Sequence, residues 1–294
     1  MSTSFAATGA PSLSRQRVVL LTLLAMTAFA GNSLLCRQAL KHTSIDPATF
    51  TTLRIASGAL VLWLIVRLRT ATGSDNGRWR SALALFFYAA AFSFAYVSLS
   101  AATGALLLFG AVQATMIGIG LARGERLSAR QLAGLLLALA GLAGLLLPGL
   151  SAPPLVGAVL MLLAGVAWGA YSLLGKGAGD PTRVTAGNFL RAVPLAISLS
   201  LLLMPAASWD SAGAIYALLS GALASGVGYA VWYTALRGLT ATGAATVQLT
   251  VPVIAAAGGV VLLGEPVTLR LVLASIAILG GVWLVIAGKR QAGR

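Results

Sequence analysis

Charged residues are scarce in this sequence. Only 9% of its residues are Asp, Glu, Lys or Arg, against about 25% in a soluble domain, while 59% are hydrophobic. A soluble core cannot bury that much apolar surface, so a soluble globular protein is excluded. The apolar runs are long and continuous and do not alternate as the strands of an outer-membrane barrel do. The sequence therefore predicts an all-α membrane protein in contact with the lipid bilayer.

Cysteine and histidine are almost absent, with one residue of each kind, Cys36 and His42. A single cysteine cannot form an internal disulfide, and the pair offers no cluster for a zinc site or a catalytic triad. An intramembrane protease and a zinc or lipid-phosphate enzyme are therefore disfavoured. We expect no enzymatic activity, no catalytic residues, no metal and no cofactor. A structural membrane scaffold is kept as an alternative.

Acidic residues are few, and all six lie in loops or at the ends of apolar runs. A proton-coupled exporter of cations keeps a carboxylate inside the membrane, because only a titratable group can exchange a proton for the substrate. We therefore predict a carrier without a buried proton-coupling carboxylate, acting on a neutral or zwitterionic substrate. The six are Asp46, Asp75, Glu125, Asp180, Asp210 and Glu265.

The twenty Lys and Arg residues give a formal charge of +14, which could suggest a nucleic-acid partner. Most of them lie in loops between apolar runs, where basic residues set the orientation of a membrane protein instead. With the N-terminus inside, fifteen fall in cytoplasmic segments, and three, Arg37, Lys41 and Arg270, fall outside. Both termini are therefore predicted to be cytoplasmic, and no nucleic acid is expected as a partner.

The apolar runs predict ten transmembrane helices, since about 20 apolar residues cross the hydrocarbon core. The predicted spans lie near residues 18–38, 48–66, 80–100, 103–122, 128–147, 155–175, 184–204, 212–235, 242–262 and 268–288. The predicted domains are a disordered cytoplasmic N-terminus over 1–17, a first five-helix repeat over 18–148, a second, inverted five-helix repeat over 151–288, and a cytoplasmic tail over 289–294.

Short motifs in the first half recur in the second half at a nearly constant offset. Ala102-Thr103-Gly104-Ala105 recurs 139 residues later, Gly124-Glu125 recurs as Gly264-Glu265, and Arg54 recurs as Arg191. Such an offset indicates an internal repeat. Because each copy holds an odd number of predicted spans, the two copies face opposite ways. Many secondary transporters are built in this manner, with the substrate site near the midplane where the repeats meet.

The sequence resembles the EamA-type transporters of the drug/metabolite transporter superfamily over about residues 18–288. The resemblance is carried by Arg54 and Arg191, the two Gly-Glu pairs and Pro252, although Gln113 replaces the proline in the first half. It is closest to bacterial amino-acid exporters of the YddG kind. It implies an inner-membrane exporter of amino acids or similar small metabolites, working by alternating access through a central cavity. A multidrug or other metabolite carrier is the alternative.

Candidate substrate-binding residues are the aromatic and polar side chains within the predicted spans. Tyr and Trp supply apolar walls with placed polar atoms, and their faces attract an ammonium group. Core packing or lipid-facing belts would explain any one of them. Asn188 and Arg191 share a helical face, and with Trp168 and Tyr171 they form the best predicted pocket wall. The candidates are Tyr88, Phe92, Tyr96, Gln113, Trp168, Tyr171, Asn188, Arg191, Trp232 and Gln248.

Three residues are assigned gating or structural roles: Arg54, Pro194 and Pro252. A proline inside a helix removes one hydrogen bond and can bend the helix. Arg54 and Arg191 are the charges nearest to span interiors. One of them binds an anionic group such as an amino-acid carboxylate or gates one side, or else each caps backbone carbonyls or snorkels to the interface.

Overall fold

The structure is a computed structural model that describes residues 14–69, 77–122, 124, 126–149, 152–175, 180–239, 244 and 247–289. Within these ranges every regular element is helical. Residues 1–13 of the predicted disordered segment 1–17, residues 290–294 of the predicted tail 289–294, and the acids Asp75 and Glu125 lie outside the described residues. Residues 15–17 of that segment form the start of the first helix.

The described helices are long and mostly apolar. Eight of them are long and apolar enough to cross a membrane, whereas α3 and the 14-residue α9 fall short of that measure. In chain order they are α1 Arg15–His42, α2 Pro47–Leu68, α3 Trp79–Tyr96, α4 Ala101–Ala122, α5 Ala129–Leu146, α6 Leu155–Leu174, α7 Pro181–Leu202, α8 Ser211–Leu236, α9 Thr250–Leu263 and α10 Leu269–Lys289.

Helices α2 and α7 begin in the same way. Asp46 precedes Pro47, and its carboxylate accepts hydrogen bonds from the first free backbone N–H groups of α2. Asp180 precedes Pro181 and caps α7 in the same manner. Proline suits this position because its fixed φ fits a helix and its missing N–H would have no partner there. The two copies of the repeat thus share a start signal, which sets the register of the helices that follow.

Corresponding helices of the two copies pack against each other and run in opposite directions. Thr52 near the start of α2 donates a hydrogen bond to the carbonyl of Ala196 near the end of α7, at 2.9 Å. Further along α2, Gly58 lies against Phe189, which comes earlier in α7. Helices α5 and α10 also run antiparallel, with Gly134 against Gly281 and the later residue 141 against residues 277 and 278. Two repeat copies that face opposite ways in a membrane must have their corresponding helices antiparallel.

The remaining contacts between the halves follow the same symmetry. Helix α1 packs against α8 and α9 of the second half, just as α6 packs against α3 and α4 of the first half. Helices α4 and α9 also contact each other. Consequently α1, α2 and α3 surround the middle of the molecule together with α6, α7 and α8.

Helix α8 contains a π-helical stretch from Ser220 to Val227. At this point α8 crosses α2 so closely that a Cβ atom on Gly221 would lie 2.8 Å from the carbonyl carbon of Arg54. Glycine permits this approach because it has no side chain, and π-helical turns occur often at functional sites. The irregular part of α8 thus lies beside the charged residue of α2.

Two prolines that were predicted to bend helices have different positions. The described helix α9 begins at Thr250, after a turn at Leu249, so Pro252 lies in its first turn, and residues 244, 247 and 248 before the turn are helical as well. A proline near a helix start costs little because its N–H has no partner there. Pro194 lies within α7, which continues past it, and its side chain is exposed.

Candidate functional site

Aromatic side chains from both halves meet in the middle of the bundle. Trp168 of α6 is at their centre, with ring-centroid distances of 4.7 Å to Tyr88 and 5.3 Å to both Tyr171 and Tyr229. These separations are typical of favourable aromatic pairs. We call the set the central aromatic cluster; its members are Phe29, Tyr88, Phe92, Tyr96, Trp168, Tyr171, Phe189, Tyr229 and Trp232.

One charged side chain projects into this cluster. Arg54 of α2 is only 2% exposed, and its guanidinium carbon lies 4.8 Å from the ring centroid of Phe92 and 5.3 Å from that of Tyr88. Its Nη2 donates a hydrogen bond to the Tyr88 hydroxyl at 3.1 Å. Its buried Nη1 has no hydrogen-bond partner among the described residues. The ring faces offset part of the cost of burying the charge, but its hydrogen-bonding capacity is incompletely used.

A hydrogen-bonded network of hydroxyl and amide groups borders the cluster on the side of α7. Tyr171 donates to the Thr185 hydroxyl at 3.4 Å, and Thr185 donates to the Tyr233 hydroxyl at 3.2 Å. Asn188 donates to the Tyr171 hydroxyl at 3.4 Å, and its side-chain oxygen accepts from the backbone N–H of Arg78 at 2.9 Å. The network joins α6, α7 and α8 to the start of α3.

The structure therefore brings together some of the residues of the pocket wall that was predicted from the sequence. Trp168, Tyr171 and Asn188 lie together, as do the predicted residues Tyr88, Phe92, Tyr96 and Trp232. Thr185 and Tyr233 were missed. Thr185 is three residues before Asn188 and Tyr233 is four residues after Tyr229, so helical spacing could have indicated both.

Other predicted site residues lie elsewhere. Gln113 lines a cavity of about 20 Å³ between α4, α5 and α10. The Gln248 side chain donates to the carbonyl of Ala244 at 3.4 Å, one turn earlier in its own segment. Arg191 is half-buried and donates to the Gly187 carbonyl of its own helix at 3.0 Å. The structure does not bring these three residues into the central aromatic cluster.

The two arginines thus have different surroundings, although the motif comparison pairs them. Arg54 follows its capping aspartate by eight residues, whereas Arg191 follows Asp180 by eleven. The residue eight positions after Asp180 is Asn188, which is also buried and also bonded to a tyrosine hydroxyl. By position along the helix, Asn188 is the counterpart of Arg54. Of the two arginines, Arg54, which was assigned a gating or structural role, is the buried one, whereas Arg191 is half-buried.

A second polar contact joins the halves at one end of the bundle. Arg37 of α1 forms an ion pair with Glu265, with a distance of 3.0 Å from Nε to Oε1. Arg37 also donates from Nη1 to the carbonyls of Tyr96 and Val97 at the end of α3. The Glu265 carboxylate accepts from the backbone N–H of Ala101 at the start of α4, at 2.8 Å. One ion pair therefore fastens α1, α3, α4 and the loop before α10.

Sequence reasoning did not find this ion pair, because its partners are 228 residues apart and were treated as separate loop charges. The predicted topology did place Arg37 and the end of α9 on the same, extracytoplasmic side of the membrane, which is compatible with a contact between Arg37 and Glu265. Proximity within that side still depends on how the helices are arranged.

A larger cavity of about 360 Å³ opens between α4, α9 and α10. Its wall is almost entirely apolar, with Pro252 among the lining residues and Glu265 as the charged one. A specific site for a small molecule needs several placed polar groups. The central aromatic cluster, with its arginine and its hydroxyl network, meets this requirement better.

The fold and this site define a class of protein. Long apolar helices in two interlocking halves, with a polar and aromatic centre between them, are the organisation of a multi-pass membrane transporter. The chain belongs to the EamA-like transporter family, whose model matches residues 16–147 and again residues 155–287. The resemblance to EamA-type transporters is thereby confirmed, while the likeness to YddG-like exporters stays a prediction.

Individual relatives match over almost the whole chain. The chain is 62% identical over 275 residues to the uncharacterized protein PA1977 of Pseudomonas aeruginosa, covering 93% of this chain and 96% of that protein. It is 27% identical over 285 residues to an uncharacterized transporter of Archaeoglobus fulgidus, covering 92% and 98%. A solved crystal structure with 21% identity matches with a TM-score of 0.67, over 96% of this chain and 100% of the other, which shows a shared fold.

Proposed function

We propose that the protein is a secondary transporter of the bacterial inner membrane that exports amino acids or similar small metabolites. In this proposal the chain spans the membrane ten times with both termini in the cytoplasm, and the substrate binds at the central aromatic cluster. The observation that carries the proposal is the buried Arg54 among aromatic rings, at the place where α1 to α3 meet α6 to α8.

The chemistry of the cluster suits a zwitterion. A guanidinium group recognises a carboxylate through two parallel hydrogen bonds, and aromatic faces such as those of Trp168 and Tyr229 attract an ammonium group. The hydroxyl network around Thr185 adds groups that can donate or accept hydrogen bonds. An amino acid presents both charges at a short separation, and a cluster of this composition can hold both.

Alternating access is supported by the arrangement of the two halves. Helices α2 and α7, and likewise α5 and α10, are antiparallel counterparts, so the molecule has two related ends. The Arg37–Glu265 ion pair fastens the end that is extracytoplasmic in the proposed topology. We propose that this pair holds the extracytoplasmic side closed and separates when the transporter opens outward.

Coupling to protons is not part of the proposal. Asp46, Asp180 and Asp210 cap the starts of α2, α7 and α8, and Glu265 binds Arg37 and Ala101. These carboxylates therefore have structural partners at helix ends. We propose a facilitator driven by the substrate gradient. A substrate-dependent proton flux in liposomes that survives substitution of Glu125 and Glu265 would contradict this.

Counterflow in proteoliposomes tests the function directly. Purified protein is reconstituted, loaded with one unlabelled amino acid at a time, and supplied with the same labelled amino acid outside. We expect exchange of at least one amino acid, and no exchange of a labelled aromatic cation such as ethidium. Exchange of ethidium alone would favour the multidrug alternative, and no exchange of any amino acid in a broad panel would reject the proposal.

Trp168→Ala tests whether the cluster is the substrate site. Trp168 contacts three other rings of the cluster, so we expect its removal to lower the initial exchange rate by about tenfold or more, since an aromatic pair and its buried area contribute strongly. Trp63→Ala is the matched control, because Trp63 is 39% exposed and contacts Arg67 outside the cluster. Equal rates in the two variants would move the site elsewhere.

A further inference from the structure

We infer that Arg54 is the residue that binds the anionic group of the substrate, and that this group is a carboxylate carrying one negative charge. The inference deepens the proposed transport function and rests on it. The guanidinium of Arg54 is fully buried in the middle of the bundle, and one of its hydrogen-bond donors has no partner among the residues that the structure describes.

A buried charge normally has a counterion, because taking it out of water is costly. Arg54 has none in the part of the chain that the structure describes. The carboxylates of Asp46, Asp180 and Asp210 are engaged at helix starts, and that of Glu265 is engaged by Arg37. The groups that the structure places against the Arg54 guanidinium are the Tyr88 hydroxyl and the rings of Tyr88 and Phe92.

The contacts that Arg54 does make leave the donors for an anion available. The rings of Tyr88 and Phe92 lie beside the guanidinium carbon, and Nη2 donates to the Tyr88 hydroxyl. Nη1 is buried and has no hydrogen-bond partner within the described ranges of the chain. A carboxylate binds two adjacent N–H groups of a guanidinium in parallel. The unused Nη1 therefore marks the position of a missing acceptor, which the substrate supplies when the helices separate to admit it.

The number of charges favours a carboxylate over a phosphate. One guanidinium balances one negative charge, and a phosphate monoester carries up to two at neutral pH. A dianion beside Arg54 would leave a buried negative charge unpaired. In the second half, Arg191 of α7 donates to the carbonyl of Gly187. A carboxylate with one charge is the anion that matches this site.

The first test uses the unmodified protein and compares each exchanging amino acid with its own amide. The amide keeps the ammonium group and the side chain and loses only the negative charge. We expect the amide to compete with labelled amino acid about ten- to hundredfold less well, the range expected for a hydrogen bond to a charged group. Inorganic phosphate serves as the second competitor, and stronger competition by phosphate than by the amino acid would overturn the carboxylate assignment.

The second test assigns this preference to Arg54. In Arg54→Gln we expect slower exchange of the amino acid and loss of the preference for acid over amide, whereas Arg54→Lys keeps the charge and part of the preference. Arg191→Gln is the matched control, since it removes an arginine from the corresponding helix, and it should keep the preference. Fluorescence-detected size-exclusion profiles show which variants are folded.

The outcomes separate the two proposals. If no amino acid exchanges in unmodified protein, the transport function itself is rejected. If an amino acid and its amide compete equally well, transport stands and the role of Arg54 is rejected without any variant. If Arg191→Gln loses the preference and Arg54→Gln keeps it, the anion is bound by the other arginine and the inference is overturned.

Discussion

Asp46 shows how one side chain in a loop can serve two helices. Its carboxylate accepts from the backbone N–H groups of Ala48 and Thr49, which caps α2, and from that of Ser208, which lies just before α8. Burial acts to raise the pKa of Asp46, but these hydrogen bonds outweigh it, so that its pKa lies below the usual value of 3.8. The ionised form is therefore favoured by folding.

This direction predicts a sign for the effect of pH on stability. Because the pKa of Asp46 is lowered in the folded protein, its contribution is complete above about pH 4 and is lost as the pH falls through the lower folded value. We expect Asp46→Asn to melt at a slightly lower temperature at pH 7, since asparagine also caps helices well. The difference in melting temperature should shrink as the pH falls below about 4 and vanish once the Asp46 carboxyl is protonated in the folded protein. A difference that grows as the pH falls would contradict the assignment.

At the scale of elements, small residues decide which helices can pack closely. Helices α5 and α10 approach so closely that a Cβ on Gly134 would lie 2.8 Å from the Cβ of Leu284 and 3.0 Å from the backbone nitrogen of Val285. Small residues permit such approaches between helices in membranes, where apolar side chains gain little from avoiding lipid. Gly144 on the same helix has no neighbouring atom within 4 Å of the position of a Cβ.

The contrast between these glycines gives a matched pair of variants. Gly134→Ala forces a methyl group into the backbone of α10, so we expect a loss of about 1–3 kcal/mol in the free energy of unfolding. Gly144→Ala should be neutral or stabilise the protein by up to about 1 kcal/mol, because alanine favours helix more than glycine does. Thermal unfolding in detergent measures both. Similar melting temperatures in the two variants would argue against close packing of α5 on α10.

At the scale of the whole molecule, the Arg37–Glu265 ion pair connects the halves, and the chain carries a natural reporter beside it. Cys36 is the single cysteine of the sequence, is fully buried, and directly precedes Arg37. A thiol reacts with a maleimide only when it is accessible. Opening of this end of the bundle can therefore be followed as labelling of Cys36 without engineered residues.

We expect Glu265→Gln to label at Cys36 about tenfold faster or more than the unmodified protein, because a hydrogen bond between charged groups is worth about 1.5–3 kcal/mol. Asp210→Asn is the control at the same end of the molecule, since asparagine can still cap α8. Labelling in membrane vesicles measures the rate. Equal rates in unmodified protein and Glu265→Gln would show that the ion pair does not hold this end closed.

Much of this architecture could be predicted from the sequence, and the errors have physical causes. Trp168, Tyr171 and Asn188 were placed on one pocket wall because helical spacing is local and regular. Arg54 and Arg191 were paired because both lie in the second helix of their copies. Arg191 lies three residues further from the start of its helix than Arg54 does, which is nearly one helical turn. Whether each arginine is buried then depends on which helices lie beside it at its own depth.

Composition, hydropathy and internal similarity by themselves determined that the chain is a helical membrane protein with an internal repeat, because these properties follow from local composition and spacing. Only the tertiary structure decided that Arg54 is buried among aromatic rings while Arg191 binds its own helix, and that Arg37 meets Glu265 across 228 residues. Those contacts depend on the packing of helices that are distant in the sequence, and packing is set by the fit of all the side chains between them.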